Sequence, residues 1–301
     1  MIFGILLLAA TGSSWVVIGA VIGHASKRGL PVGSIQASSA AISVLVGGTV
    51  LFFHPDPECA FPVRFWTMAS IFGSGFFNYF VLQLMGKAMK TGPNGIVWAI
   101  VQSALVFPFL VGVIFFGVAL TVPRISGIIA IIAALALFGF ARENRVHGSA
   151  WRAAAIGSLL LAGINQNLSS LPSYFPEAAA VSSVSRSLSA ALGALTAFVL
   201  ANRKNLLSRI DDLKNPTLWR FTACLAGSGL INGYFMLYRG LNLVAEAGAG
   251  AVSYPVLVSS CIVSFTLYSF FILKEKMKPL QYGGLGLAMV GIILITLKIG
   301  S

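Results

Sequence analysis

Ten apolar stretches, each about as long as a membrane-spanning helix must be, follow one another along almost the whole sequence. A helix crosses a bilayer with about 20 mostly apolar residues. The stretches cover residues 1–23, 34–53, 66–88, 93–116, 123–140, 152–171, 177–200, 218–240, 248–273 and 279–297. Short turns rich in proline and glycine separate them, and no long hydrophilic segment interrupts the series. The pattern predicts an all-α integral membrane protein with ten transmembrane helices and no separate soluble domain.

The composition agrees with a protein whose surface meets lipid. Of the 301 residues, 57% are hydrophobic and only 9% are charged, whereas soluble domains carry about 25% charged residues. The net charge of +12 could indicate a nucleic-acid-binding protein. However, the basic residues form short clusters between apolar stretches, which is typical of loops that face anionic lipid. We therefore expect contact with membrane lipid and none with nucleic acid.

The positions of the basic residues also predict an orientation. Most of the 20 Lys and Arg residues lie in the loops that join an odd-numbered stretch to the next even-numbered one. By the positive-inside rule these loops face the cytoplasm, and both termini lie outside.

The apolar N-terminus has no basic segment before it, and Lys27 and Arg28 follow it directly, which favours a first transmembrane helix over a cleaved signal peptide. We expect a multi-pass protein of a bacterial plasma (inner) membrane.

The two halves of the sequence resemble each other. A motif of the third stretch recurs in the eighth, as Gly73-Ser74-Gly75 with Asn78 and as Gly227-Ser228-Gly229 with Asn232. Residues 1–146 and 147–301 would each hold five helices, and because five is odd, the second copy enters the membrane from the opposite side. Such an inverted repeat is the usual architecture of alternating-access carriers, whose substrate binds between the halves. We therefore expect a transporter of a small molecule and not an enzyme.

The C-terminal part carries a more specific pattern. Glu275 and Gln281 are followed by Gly284 and Gly291, one heptad apart. This resembles the closing pattern of EamA-type repeats in the drug/metabolite transporter superfamily, whose length and five-plus-five helix duplication are also similar to this chain. The first half departs from the pattern, since Gly117-Val118-Ala119 stand where a Glu would be expected. The resemblance implies transport of a small polar metabolite, with helices 1, 3, 4, 6, 7, 8 and 9 lining the pathway.

Arg186 is the only charged residue that the sequence places well inside a span, near the middle of the seventh stretch. Charged residues in such positions are costly and are functional hypotheses by default. A guanidinium is always protonated, and its planar fork suits a carboxylate or a phosphate. Arg186 is therefore predicted to recognise an anionic group of the substrate. The alternative is a structural arginine whose donors meet helix-end carbonyls or Asn side chains of a neighbouring helix.

Asparagines near mid-span are further candidates for substrate binding. Asn78 and Asn232 are equivalent in the repeat, so they could coordinate a substrate from both halves, or they could join helices by hydrogen bonds worth about 0.6 kcal/mol each. Asn165 belongs to the amide run of residues 165–167 in the sixth stretch. Three consecutive helical residues point in different directions, so at most two of them can face one cavity.

Two aromatic residues and one glutamine complete the predicted site. Trp98 and Tyr254 lie at repeat-related depths in the fourth and ninth stretches, so we rank them above Trp15 and Tyr79 as cavity residues; Gln102 lies one turn beyond Trp98. Aromatic rings can stack on a substrate, although they are also common where helices meet the lipid interface.

The residues also bear on the substrate and on rival classes. Because of Arg186 we expect the substrate to be an amino acid or a related organic acid; the alternative is a neutral sugar, which the amide and aromatic content favours. The eight acidic residues all lie in loops or at helix ends, which argues against antiport coupled through a single intramembrane Glu. An intramembrane enzyme would need reachable catalytic groups, but no HExxH, GxSxG or P-loop motif is present. A channel needs no inverted repeat. We expect no cofactor and no metal.

Overall fold

The computed structural model describes residues 1–117, 120–140, 150–247, 250–274 and 279–296, and among these residues it contains helices and turns but no strand. The α-helices are α1 (Ile2–Ser14), α2 (Val16–Lys27), α3 (Val32–Phe53), α4 (Phe61–Thr91), α5 (Asn94–Gln102), α6 (Val106–Phe116), α7 (Val122–Phe140), α8 (Ala150–Ser170), α9 (Ser183–Asn202), α10 (Leu206–Asp211), α11 (Pro216–Ile231), α12 (Tyr238–Glu246), α13 (Gly250–Phe271) and α14 (Pro279–Thr296).

Several neighbouring helices continue directly into one another. Helices α1 and α2 meet at Trp15, and the 3-10 turn Ser103–Leu105 joins α5 to α6. A π-helical turn, Asn232–Leu237, joins α11 to α12. Six helical segments of the described chain are long and apolar enough to cross a membrane: Ile2–Lys27, Val32–Phe53, Phe61–Thr91, Asn94–Phe116, Ser183–Asn202 and Ser253–Phe271. The chain is therefore an all-α integral membrane protein, as the apolar stretches predicted.

Helix α4 lies at the centre of the packing and contacts α8 and α9 along much of its length. The crossing of α4 and α9 depends on glycine at two positions. A Cβ on Gly75 would lie 1.9 Å from the carbonyl oxygen of Ala190, and a Cβ on Gly193 would lie 2.0 Å from that of Phe72. Such close backbone approach is typical of small-residue contacts between membrane helices.

The two ends of the helical bundle differ. At one end, which we call the linker end, the 3-10 turns Leu171–Tyr174 and Pro176–Ala180 cover the helices between α8 and α9. Tyr174 stacks on Phe116 with ring centroids 4.0 Å apart. At the opposite end, which we call the α10 end, Asp212 follows α10 and accepts a 2.6 Å hydrogen bond from Ser34 Oγ at the start of α3.

The seventh span starts later than the sequence predicted. Residues 177–180 form a 3-10 turn, and α9 begins at Ser183, because the Ser182 side chain caps it by accepting a 3.1 Å hydrogen bond from the Ser185 amide. The prediction that Arg186 lies near mid-helix is therefore wrong: it lies in the first turn of α9. The boundary of the halves at 146/147, Glu275 and positions 118–119 lie outside the described residues.

Candidate functional site

A cavity of ≈ 310 Å³ lies between the helices of the two halves. This central cavity has roughly the volume of ten water molecules in the liquid and is at the small end of the range for ligand pockets. Apolar side chains, amides, hydroxyls and aromatic rings line it, and none of its described lining residues is charged. Across the described chain, no three His, Cys, Asp or Glu residues gather where they could hold a metal ion.

Six of the seven residues predicted as a site line the central cavity. They come from the π turn, α4, α5, α8 and α13, and the cavity brings together residues that are far apart in sequence. The six are Asn78, Trp98, Gln102, Asn165, Asn232 and Tyr254.

The first-half Gly-Ser-Gly motif forms one polar cluster on this cavity. Ser74 Oγ donates a 2.6 Å hydrogen bond to Asn165 Oδ1, and Asn165 Nδ2 donates to Asn78 Oδ1 over 3.4 Å. The three side chains thus join α4 to α8 inside the bundle. Among the described residues only the oxygen of the Asn78 amide is bonded, so its two N–H donors are available to a solute.

The second-half motif forms an equivalent cluster. Asn232 Nδ2 donates a 3.1 Å hydrogen bond to Ser228 Oγ one turn earlier, and Ser14 Oγ donates to Asn232 Oδ1 over 2.7 Å. Ser14 ends α1, the first helix of the first half, just as Asn165 lies in α8, the first helix of the second half. In each cluster, the motif's Asn therefore bonds a polar residue of the opposite half's first helix.

Trp98 and Gln102 form a wall on α5 that packs against α13. The Trp98 ring stacks on Phe265 with centroids 4.7 Å apart and planes 22° apart. Gln102 Nε2 donates to the Cys261 sulfur over 3.5 Å. On the same helix α13, Tyr254 Oη lies 2.5 Å from Ser169 Oγ of α8. These contacts hold the rings in fixed positions at the cavity.

Arg186 is the predicted site residue that the cavity does not include. It is 1% exposed, and its Nη2 donates a 2.5 Å hydrogen bond to the carbonyl oxygen of Ala178 in the linker. The guanidinium lies over the ring of Tyr238, 5.5 Å from its centroid, and Tyr238 in turn lines the cavity. Arg186 therefore does not line the cavity itself, but it contacts a residue that does. Its hydrogen bond to a backbone carbonyl is the kind expected of a structural arginine.

The sequence reasoning missed a whole face of the cavity. Helix α3, which the family resemblance did not include among the lining helices, contributes Gln36, Ser39 and Ser43. Their spacing of three and four residues puts them on one side of an apolar helix, and this signal was present in the sequence. Two tyrosines, Tyr234 and Tyr238, were also missed, although each lines the cavity.

Comparison with known proteins finds a similar fold but no matching family. The sequence matches no family model and no curated protein. It is similar in fold to a solved structure described only as "Crystal structure of protein", with a TM-score of 0.62 and 14% identity, over 96% of this chain and 95% of the other. At that identity the likeness concerns the fold alone. The fold and the composition together define an all-α integral membrane protein with an internal cavity whose described lining is mostly apolar, with uncharged polar groups among the lining residues.

Proposed function

We propose that this protein is a secondary carrier that moves a small polar solute across a membrane by alternating access. The proposal includes ten transmembrane helices arranged as two inverted five-helix repeats. It also includes membership of the EamA-type drug/metabolite transporters and a place in a bacterial plasma membrane. These last two points depend on the sequence resemblance and on the loop charges.

The helix contacts support the inverted repeat. If each helix of the first half corresponds to the helix five spans later, contacts occur in matched pairs. The packing of α4 on α8 then corresponds to that of α12 on α1, and the packing of α4 on α9 to that of α11 on α3. Under the same correspondence α3 exchanges with α9 and α7 exchanges with α14, so each of these two contacts is its own equivalent. This is the pattern expected of two halves related by a pseudo-two-fold axis.

The single observation that carries the proposal is the pair of equivalent polar clusters on one cavity. Asn78 and Asn232 reach the same cavity from opposite halves, and each is bonded to the first helix of the other half, Asn78 to Asn165 and Asn232 to Ser14. If the two clusters only joined helices to each other, they would not need to lie on the same cavity. A solute bound between them would contact both halves at once, which is what alternating access requires.

The lining favours a neutral polar solute such as a sugar. Burying a charged group in a cavity without an opposite charge is strongly unfavourable, and the described lining holds none. Amide and hydroxyl groups pair well with solute hydroxyls, and the rings of Trp98 and Tyr254 offer apolar faces for a sugar ring.

An amino acid or organic acid, which the sequence favoured because of Arg186, is the second candidate. The Nε and Nη1 of Arg186 have no hydrogen-bond partner among the described residues, although the guanidinium is buried. The Tyr238 ring lies against this group and also lines the cavity. If the Tyr238 ring moves, two donors of a permanent cation become available to a carboxylate.

Binding by the purified protein separates the two candidates. A ligand that binds the folded state raises the unfolding temperature by mass action. We expect neutral sugars to stabilise wild type and Arg186→Ala equally, and to lose their effect in an Asn78→Ala/Asn232→Ala double variant. Stabilisation by amino or organic acids that disappears in Arg186→Ala would favour the second candidate. If no small polar solute stabilises the wild type, the carrier proposal loses its support.

A further inference from the structure

A second cavity of ≈ 310 Å³ lies at the linker end of the bundle, and we call it the vestibule. It is separate from the central cavity, but one side chain, Tyr234, lines both. The linker before α9, the start of α9, Phe235 and one face of α12 form the rest of the vestibule. The Tyr234 side chain therefore lies between the vestibule and the central cavity.

The vestibule is polar although it adjoins apolar helices. Arg239, Asn242 and Glu246 lie three and four residues apart on α12, so they share one face of that helix. Arg239 is exposed, and its guanidinium lies over the Phe3 ring, 5.5 Å from the centroid. A face with a cation, an amide and a carboxylate offers hydrogen bonds to a polar solute of either charge or of none.

Tyr234 is held in place by contacts with the opposite half. Its Oη donates a 2.9 Å hydrogen bond to the carbonyl oxygen of Ser43 on α3. The phenol also lies directly over Gly47, where an added Cβ would come within 2.5 Å of Oη. The tyrosine thus bridges from the second half to the first through one hydrogen bond and one glycine contact, and a small change on α3 would displace it.

The backbone that carries Tyr234 departs from regular α-helix. Tyr234 lies in the π turn Asn232–Leu237, whereas the equivalent segment of the first half, residues 78–83, is regular α-helix inside α4. Single π turns within α-helices are rare and frequently mark functional sites. Since one residue turns an α-helix by about 100°, conversion of the π turn to α-helix would rotate Tyr234 away from Ser43.

We propose that the vestibule is the access site of the central cavity and that Tyr234 is the gate between them. A polar solute enters the vestibule beside Arg239, Asn242 and Glu246, and it reaches the clusters of Asn78 and Asn232 when Tyr234 leaves Ser43 and Gly47. The inference rests on the proposed carrier function, since a gate requires a solute that passes it. It assigns to Tyr234 a role that neither the repeat nor the family resemblance indicates.

Two neighbouring glycines supply a matched pair of variants. Gly47→Ala places a methyl group where Tyr234 Oη now lies, so the phenol must shift. Gly48→Ala makes the same chemical change one residue further along, where nothing lies within 4 Å. Tyr234→Phe removes only the hydroxyl that donates to Ser43. Thermal unfolding of all three variants checks that the fold is kept, and Tyr234→Phe serves if Gly47→Ala does not fold.

The gate is tested by access of a thiol reagent to the central cavity. A reporter, Ala191→Cys, is placed on its lining in a chain whose free cysteines, Cys59, Cys224 and Cys261, are replaced. The protein is reconstituted in vesicles and a membrane-impermeant maleimide is added outside. Glu246→Cys in the vestibule identifies the fraction of molecules whose linker end faces the reagent. The labelling rate of position 191 in that fraction is the measurement.

We expect Tyr234→Phe and Gly47→Ala to raise the labelling rate by up to about tenfold, the effect that loss of one hydrogen bond allows. Gly48→Ala should label at the parent rate. Equal rates in the parent, Tyr234→Phe and Gly47→Ala would overturn the gate, and so would an equal increase in Gly48→Ala, because that would indicate general loosening. Labelling requires no transport. A carrier proposal that fails in uptake assays is therefore distinguishable from a gate that fails here.

Discussion

At the scale of single residues, the two motif asparagines are equivalent in sequence but bonded differently. Asn78 accepts from another amide, Asn165, across to α8, whereas Asn232 bonds both a serine of its own helix and Ser14 of α1. Hydrogen bonds between membrane helices contribute little to stability on average, about 0.6 kcal/mol. The asparagines are therefore better tested by their effect on binding than by their effect on folding.

We expect Asn78→Ala and Asn232→Ala each to weaken binding of the sugar that stabilises the wild type best. Loss of one hydrogen bond to the solute, worth ~0.5–1.5 kcal/mol, corresponds to a roughly two- to tenfold higher Kd. Asn205→Ala is the matched control, since Asn205 is exposed directly before α10 and does not line the cavity. Calorimetric titration measures the three constants. Wild-type affinity in both cavity variants would show that the asparagines only join helices.

Arg186 leads to a different prediction, because it anchors the linker to α9. Arg186→Ala leaves the Ala178 carbonyl without its donor and removes the cation from the Tyr238 ring. It also removes two buried nitrogens, Nε and Nη1, that have no hydrogen-bond partner among the described residues. We expect a net loss of about 1 kcal/mol in the free energy of unfolding. Thermal unfolding without solute measures it, and Arg186→Lys, which keeps the charge but not the fork, is the comparison.

At the scale of helices, the crossing of α4 and α9 depends on glycine contacts that no side chain can replace. The Cβ of Gly75→Ala would meet the Ala190 backbone, which cannot move aside like the end of a flexible side chain. We expect this variant to lose at least ~1–3 kcal/mol of stability, as in other overpacked cores. Gly227→Ala, in the equivalent motif of the second half, meets nothing within 4 Å and should be neutral or slightly stabilising. Equal unfolding temperatures of the two variants in detergent would contradict this close crossing of α4 and α9.

The α10 end is held by a chain of polar contacts between the halves. Tyr79 Oη accepts from Asn202 Nδ2, Asn202 Oδ1 accepts from Arg209 Nε, and Arg209 lies 3.6 Å from Asp212. Asp212 also accepts the hydrogen bond from Ser34, so it ties the segment between α9 and α11 to the first half.

We expect Asp212→Ala to lower stability by about 1 kcal/mol, since Ser34 then loses a charged acceptor. Asp211→Ala is the control. Asp211 pairs with Lys214 on the surface, where such pairs contribute ~0–1 kcal/mol. Chemical unfolding of the two variants in the same detergent gives the difference, and equal losses would mean that the contact with Ser34 contributes nothing.

At the scale of the whole molecule, much of the fold could be predicted because apolar length is a strong signal. The second and fourth stretches, predicted as 34–53 and 93–116, are helical over Val32–Phe53 and Asn94–Phe116. The start of the seventh span was wrong because the linker between α8 and α9 is as apolar as a helix, so composition does not distinguish it. The π turn could not be predicted either, because it does not change the pattern of apolar residues along the span.

The site was partly predictable for a related reason. Polar residues that were rare and conspicuous in the sequence, such as Asn78 and Asn165, do line the cavity. Ser39 and Ser43 were overlooked because serine is common in membrane helices and is informative only by its spacing with Gln36. The depth of Arg186 depended on where its helix begins, which is decided by the cap at Ser182 and not by hydropathy.

The central claim is that the protein carries a solute by alternating access, and counterflow tests it most directly. Vesicles containing the protein are loaded with unlabelled solute, and the entry of the same solute in labelled form is followed over a range of outside concentrations. A carrier predicts that entry saturates and that the internal solute drives a transient accumulation of label. Flux that rises linearly with concentration, with no accumulation of label, would contradict the account and would indicate a channel.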